Sequence, residues 1–324
     1  MKLPRRHFLQ LAGIAAASAL PWPGLALDYP TRPVRWVVGY PPGGPQDIVA
    51  RLLSQFLSER FGQQFIIENR SGAGGNIGAE AVINAPPDGY TMLLVGSPNG
   101  INATLYEKLN FVFLRDIVPV ASIGRVPLVM EVHPSVPVKT VPEFIAYAKA
   151  NPGKINYASA GNGTPQHVSA ELFKIMTGVT MLHVPYRGAA PAMTDMISGH
   201  VQVMFDPMPT AIEQIKAGRL RALAVTTTKR SEVLPDLPTV SEFLPGFAAD
   251  TWYGAGVPRN TPVEIVDALN KEINAVLGDA RVKARLADLG ATVLVGTPAD
   301  FGRMLADETE KWGRVVKASG AKPE

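Results

Sequence analysis

From residue 33 onward, short β-branched runs alternate with stretches whose apolar residues recur at helical spacing. Val34 to Val38 predicts a strand, Gln46 to Phe61 a helix, Phe65 to Glu68 a strand, Gly78 to Asn84 a helix and Met92 to Val95 a strand. A second series follows. It runs through helix Val141 to Ala150, strand Ile155 to Ala158, helix Gln166 to Thr177, strand Met181 to Val184 and helix Ala190 to Ser198, and ends with strand Val201 to Phe205, helix Thr210 to Ala217 and strand Arg221 to Thr226. Alternation of this kind builds stacked βα units on a mostly parallel sheet, so the fold class is α/β. Two series with separate loops predict two lobes. The extended segments Ala121 to His133 and Ala249 to Val257 are expected to cross between them, one outward and one back.

Two amphipathic helices close the chain, one with Ile265, Leu269, Ile273 and Val276 on one face, the other with Phe301, Leu305, Trp312 and Val316. Both faces read as core packing. A length of 324 residues with 46% hydrophobic positions suits two domains with sizeable cores. With no cysteine, disulfides, thiol nucleophiles, Cys-ligated zinc and iron-sulfur clusters are excluded.

The formal charge of +3 first suggests a mildly basic protein, yet its location decides what it means. Residues 1–26 hold Lys2, Arg5 and Arg6 and no acid, so removing them leaves equal numbers of basic and acidic residues and no implied nucleic-acid partner. That opening has a charged start, an uncharged stretch from Phe8 to Leu20, Pro21 and Pro23, and the small-residue end Gly24-Leu25-Ala26. It predicts an export signal, too short for a bilayer core of about 30 Å. Arg5-Arg6-His7-Phe8-Leu9 is similar to a twin-arginine motif, and Ile14 stands where a lipoprotein would need cysteine. The mature chain is expected to start near Leu27 as a periplasmic protein without a lipid anchor.

Three loops between a strand and a helix concentrate glycine and proline: Gly39 to Asp47, Ala160 to His167 and Pro185 to Pro191. Such loops expose unpaired backbone N–H groups at the positive end of a helix dipole. Pro45 and Pro165 suit the first helical position, Thr164 suits an N-cap, and Gly43 and Gly44 let a ligand approach the main chain. If these loops face one cleft, they make an anion site. A fourth cluster, Gly72 to Gly78, does not match G-x-G-x-x-G because Ile77 occupies the third glycine's place, and no acid follows at the ribose-binding distance, so it reads as a tight structural loop. There is no G-x-S-x-G elbow, H-E-x-x-H or P-loop. Ser159, His167 and Asp206 could form a trio only if the fold assembled them. Asp47 and Arg51 are spaced for an intrahelical pair, while His133 and His183 lie on apolar runs and His200 in a turn.

The runs VVGYPPGGPQDIVARLL, ENRSGAGGNIGAEAV, PPDGYTMLL, YASAGNGTPQHVSAELF, VPYRGAAPAMTDMISGHVQVMFD and GVPRNTP, in that order, resemble the periplasmic solute receptors of tripartite tricarboxylate transporters, the Bug or TctC-like proteins. The resemblance implies a two-lobed, Venus-flytrap receptor that captures a small organic acid and presents it to the membrane subunits of a transporter. No catalysis, cofactor or metal is implied, and a monomer is expected. One lobe would comprise residues 27–125 with 250–324, the other 126–249. The resemblance puts a carboxylate against the main-chain N–H groups and hydroxyl of Gly161, Asn162, Gly163 and Thr164, with waters bridging it to Pro42, Gly43, Gly44 and Pro45. Ser97, Asn99, Tyr186 and Asp206 are further candidates, as are Asp47 and His167 at the starts of the two following helices. Tyr40 stands where the family commonly has Phe and would add a hydroxyl at the mouth. Two rival readings remain open from sequence: an exported hydrolase of small carboxylate esters using Ser159 or Ser97, and a ligand-sensing module coupled to a sensor kinase.

Overall fold

The structure, a computed structural model, describes residues 28–323. The export-signal reading of residues 1–26 lies outside them. The chain opens with β1 (Val34–Val38), α1 (Pro45–Phe61), β2 (Phe65–Asn69), α2 (Asn76–Ile83), β3 (Thr91–Gly96), α3 (Ser97–Leu105), the single turn α4 (Phe113–Asp116) and β4 (Ile117–Val132). Proline starts α1 and Gly62, left-handed at φ 65°, ends it; between them Val49, Ala50, Leu53 and Leu57 are buried against the sheet. β1 pairs in parallel with β2 and β3, as the βα alternation requires.

The second series comprises α5 (Val141–Ala150), β5 (Asn156–Ser159), α6 (Pro165–Thr177), β6 (Leu182–Pro185), α7 (Ala189–Ile197), β7 (Val203–Pro207), α8 (Met208–Lys216) and β8 (Arg221–Val225). Then come β9 (Asp250–Pro258), α9 (Val263–Gly278), α10 (Ala280–Asp288), β10 (Thr292–Val293) and α11 (Pro298–Ser319). The predicted elements agree with these to within a few residues, apart from the two-residue β10 and three helices, none of which is predicted. α3 begins with Ser97-Pro98-Asn99-Gly100, which reads as a turn. α4 is one turn long, and α10 buries only Val282 and Leu286.

The outward crossing is made by β4. Residues 117–127 ladder against β9, and residues 128–132 pair with β7 on one edge and β8 on the other. Register shifts near Pro119 and Ser122 bend the strand on its way. The segment expected to cross back belongs to the first sheet along all of β9, which pairs with β3 and β4. The return is therefore confined to the residues just before it, where the Ala249 N–H donates to the Thr226 carbonyl.

The last helix serves two cores. Phe301 and Leu305 pack with Val37, Leu93 and Trp252 behind the first sheet, and Trp312 and Val316 pack with Phe144, Phe173 and Phe205 in the second lobe. The seat of α11 on the first sheet depends on Gly254, where an added Cβ would come 2.1 Å from the Phe301 ring and 2.7 Å from the Ala121 carbonyl. Gly254→Ala is expected to destabilise the fold by about 1–3 kcal/mol, seen as a lower denaturant midpoint at unchanged slope. An unchanged midpoint would mean that α11 is not held there.

Candidate functional site

β1, β3, β5, β6 and β7 each hand over to a helix at one cleft. Gly44, Pro45 and Gln46 at the start of α1, Pro98 of α3, Thr164, Pro165 and Gln166 of α6, Ala189 of α7 and Pro207 ahead of α8 all line it, with Tyr40, Thr251 and Tyr253 completing the wall. The cleft is narrow, a volume of about 30 Å³ once the open solvent at its mouth is left out, and no lining residue carries a charged side chain. An outer region shares Tyr40, Pro41 and Ala160 and continues between Ser71 to Gly75 on one side and Gly161, Asn162, Tyr186 and Arg187 on the other.

Two helix starts face each other from opposite sheets. Neither Gly44, capping α1, nor Thr164, capping α6, makes a side-chain capping bond, although Thr164 has the chemistry for one. Its hydroxyl instead donates to the Gly161 carbonyl at 2.7 Å. Pro45 and Pro165 have no N–H, so the first-turn donors left are those of Gln46 and Asp47 in α1 and of Gln166 and His167 in α6. Three of the four main-chain N–H groups expected to meet a carboxylate, those of Gly161, Gly163 and Thr164, are bonded within the loop. The Gly161 N–H donates to Ser159 Oγ, the Gly163 N–H to His167 Nδ1, and the Thr164 N–H to the Gly161 carbonyl, while the Asn162 side-chain Nδ2 donates to the Lys322 carbonyl. These bonds shape the loop, whose Gly161 and Gly163 have φ of 120° and 76°.

Several candidates lie one layer behind the cleft. Asp47 accepts the Gly43 N–H, Arg51 Nε and the Asn69 amide; burial works to raise its pKa, but these bonds hold it below the usual carboxylate range. Pro42 and Gly43 are exposed beside it. Ser97 accepts the Trp252 N–H and meets the Thr251 hydroxyl, and Asn99 caps α3 by accepting the Gly96 N–H. Tyr186 reaches the outer region and donates its hydroxyl to Asp195. The Tyr40 hydroxyl donates to the Gly74 carbonyl, which also accepts the Asn102 amide, so the Gly72 to Gly75 loop forms a wall of the outer region. Asp206 is fully buried under Gln166 and Thr210.

The hydrolase trio is not assembled. Ser159 Oγ meets His183 Nε2 at 2.7 Å, not His167, and Asp206 is bonded to Gln166 and Thr210. His167 and His183 stack with ring centroids 4.1 Å apart, and Tyr157 stacks on His183 at 4.7 Å. Burial lowers the His167 pKa to about 4, with Glu171 opposing and Lys174 adding to the fall. Burial, then His167 and Lys174, lower His183 to about 3. Sequence reasoning missed Gln46, Gln166, Pro98, Pro207, Thr251 and Tyr253. Gln46 and Gln166 each directly follow a helix-starting proline, a signal that could have found them.

The profile described as tripartite tricarboxylate transporter family receptor, TctC, matches residues 49–321. Protein BugT of Bordetella pertussis is 37% identical over 97% of this chain and 96% of its own length. Among solved structures, R. palustris Rpa4515 with adipate is 40% identical, with a TM-score of 0.89 over 92% of this chain and 100% of that one. MatC from Rhodopseudomonas palustris with bound malate is 34% identical, with a TM-score of 0.84 over 89% and 100%.

The stacked imidazoles beside the cleft loop give the fold an acid limit. Unfolded histidine titrates near 6.5 while these rings stay neutral to about 4 and 3, so their contribution is complete above about 6.5 and is lost as pH falls toward 4. The expected loss is on the order of a few kcal/mol between pH 7 and 4.5 by denaturant unfolding, with a shallower dependence in His167→Gln. Identical pH dependence in the two proteins would exclude the stack as its source.

Proposed function

The chain belongs to the receptor family of tripartite tricarboxylate transporters, and on that premise we propose that it takes a small organic acid from the periplasm and delivers it to the membrane subunits of such a transporter. As a member of this family it is a carboxylate-binding receptor and not an enzyme. Adipate and malate, found with its structural relatives, make small dicarboxylates the first ligands to examine. In this reading residues 27–125 and 250–324 form one lobe and 126–249 the other, the receptor acts as a monomer, and residues 1–26 direct export by the twin-arginine route.

The observation that carries the proposal is the pair of proline-led helices, α1 and α6, that open on one cleft from opposite sheets without side-chain caps. The ligand carboxylate takes the place of the missing caps, accepting the Gln46 and Gln166 N–H groups and their neighbours. Gly43, Gly44, Gly161 and Gly163 shape the loops around it. Hydrogen bonds to a charged group contribute about 1.5–3 kcal/mol each and a helix end roughly 0.3–1 more. Three such bonds and two helix ends approach the roughly 8 kcal/mol of a micromolar complex without a dedicated cation.

Two measurements test this. Mass spectrometry of ligand released from natively purified protein identifies the acid, and thermal unfolding of the stripped protein against carboxylic acids measures its effect. Stabilisation of about 2.7 kcal/mol is expected at a hundredfold excess over Kd. Thr164→Asp should keep or slightly raise intrinsic stability, because its carboxylate caps α6, and should abolish the ligand-induced shift, because the same N–H groups are then occupied. Undiminished affinity in Thr164→Asp would move the carboxylate away from α6.

A further inference from the structure

β4 carries Glu131 into the second lobe between β7 and β8, opposite Met204 on one side and Ala222 on the other. The side chain is fully buried, and neither carboxylate oxygen has a hydrogen-bond partner. Asp206 lies two residues beyond Met204 on β7, on the same face of the sheet by strand alternation, and is equally buried. It directly precedes Pro207 of the cleft wall, and it accepts from Gln166 of the same wall at 3.4 Å and from the Thr210 hydroxyl. One layer of side chains therefore separates Asp206 from the cleft.

The groups around the two acids offer no counter-charge. β9 presents Tyr253, whose own pKa Asp206 helps to raise. From α6 comes the uncharged Gln166, with His167 turned to the Gly163 N–H. α8 contributes the Thr210 hydroxyl, while its Glu213 and Lys216 are exposed. Arg221 of β8 donates to the carbonyls of Val136 and Val138. Burial, and after it Asp206, push Glu131 well above the carboxylate range. Burial raises Asp206 to about 7 against its bonds from Thr210 and Gln166. An ionised carboxylate at Glu131 would be stripped of water with nothing in exchange, so the neutral acid is the stable form there.

We propose that Glu131 and Asp206 form a proton-holding site behind the cleft, keeping the wall that receives the ligand carboxylate uncharged. A neutral Asp206 leaves an anion in the cleft facing only dipoles. Ionised, it would put a like charge behind the same wall and weaken capture as pH rises. The purpose of this site rests on the carboxylate reading above, so the test uses ligand-free protein and the two can fail separately.

Infrared spectra of the full chain with ¹³C-labelled Asp and Glu carboxyls, titrated from pH 5 to 10, report protonated carboxylic acids directly by their carbonyl stretch. The wild type is expected to retain acid carbonyl intensity at pH 6 and to lose it in two steps, the lower near 7. Glu131→Gln should remove the upper step and leave the lower. Asp206→Asn should remove the lower step and move the upper one down, since the like charge is gone. Absence of any acid carbonyl above pH 6 in the wild type overturns the proposal without recourse to a variant, and so does an upper step that is unchanged in both variants.

Discussion

An anion held without a cation needs many aligned backbone dipoles, and the topology supplies them by ending five strands at the place where five helices begin. The arrangement sets conditions on everything near it. Proline at the start of α1 and α6 leaves no N–H at the first helical position, and the caps leave the next donors unused. Acids close to the cleft must also be silenced, and the protein does so in two opposite ways. Asp47 stays ionised, its carboxylate bonded to Arg51, Asn69 and the Gly43 N–H and turned from the ligand space. Asp206 has no cation to meet, and burial raises its pKa to about 7, so its acid form persists up to near-neutral pH.

The two halves of the cleft are joined by few covalent paths and by one long helix. β4 is shared between the sheets, and beside its crossing Arg125 bonds both to Asp250 at the start of β9 and to Glu308 of α11, each at 2.8 Å. The ion pairs are partly shielded, so breaking one leaves a half-buried charge without its partner. α11 places Phe301 and Leu305 in one core and Trp312 and Val316 in another, which ties the two cores together.

Strands and helices with a clean apolar period were legible from sequence. β1 and α5 fall on their predicted residues because each has an uninterrupted pattern between proline or glycine boundaries. α3 was not legible: Pro98, Asn99 and Gly100 have turn chemistry, and only burial of Ile101 and Leu105 in the second-lobe core makes the segment helical. At the site, the two loops could be found, since their glycines and prolines are local signals. Which polar atoms remain free could not. Ser97, Asn99, Gly163 and His167 have suitable groups, but these are spent on Trp252, Gly96 and each other, and such pairings arise from residues far apart in sequence as well as within a loop. Glu131 was invisible for the same reason, since only the packing around β4 tells a buried acid from an exposed one.

In the proposed site, dividing the donors between two lobes also decides how the acid can leave. α1 holds one set of first-turn N–H groups and α6 the other, so a separation of a few ångströms breaks the hydrogen bonds to one set while the other remains. Each half alone provides one or two bonds and one helix end, well short of what a micromolar complex requires. A fixed arginine would have kept much of its attraction over such a distance, because charge–charge interaction falls off more slowly than a hydrogen bond does. A cleft built from main-chain donors therefore binds strongly when closed and weakly when open, which is the difference a delivery protein needs between capture and release.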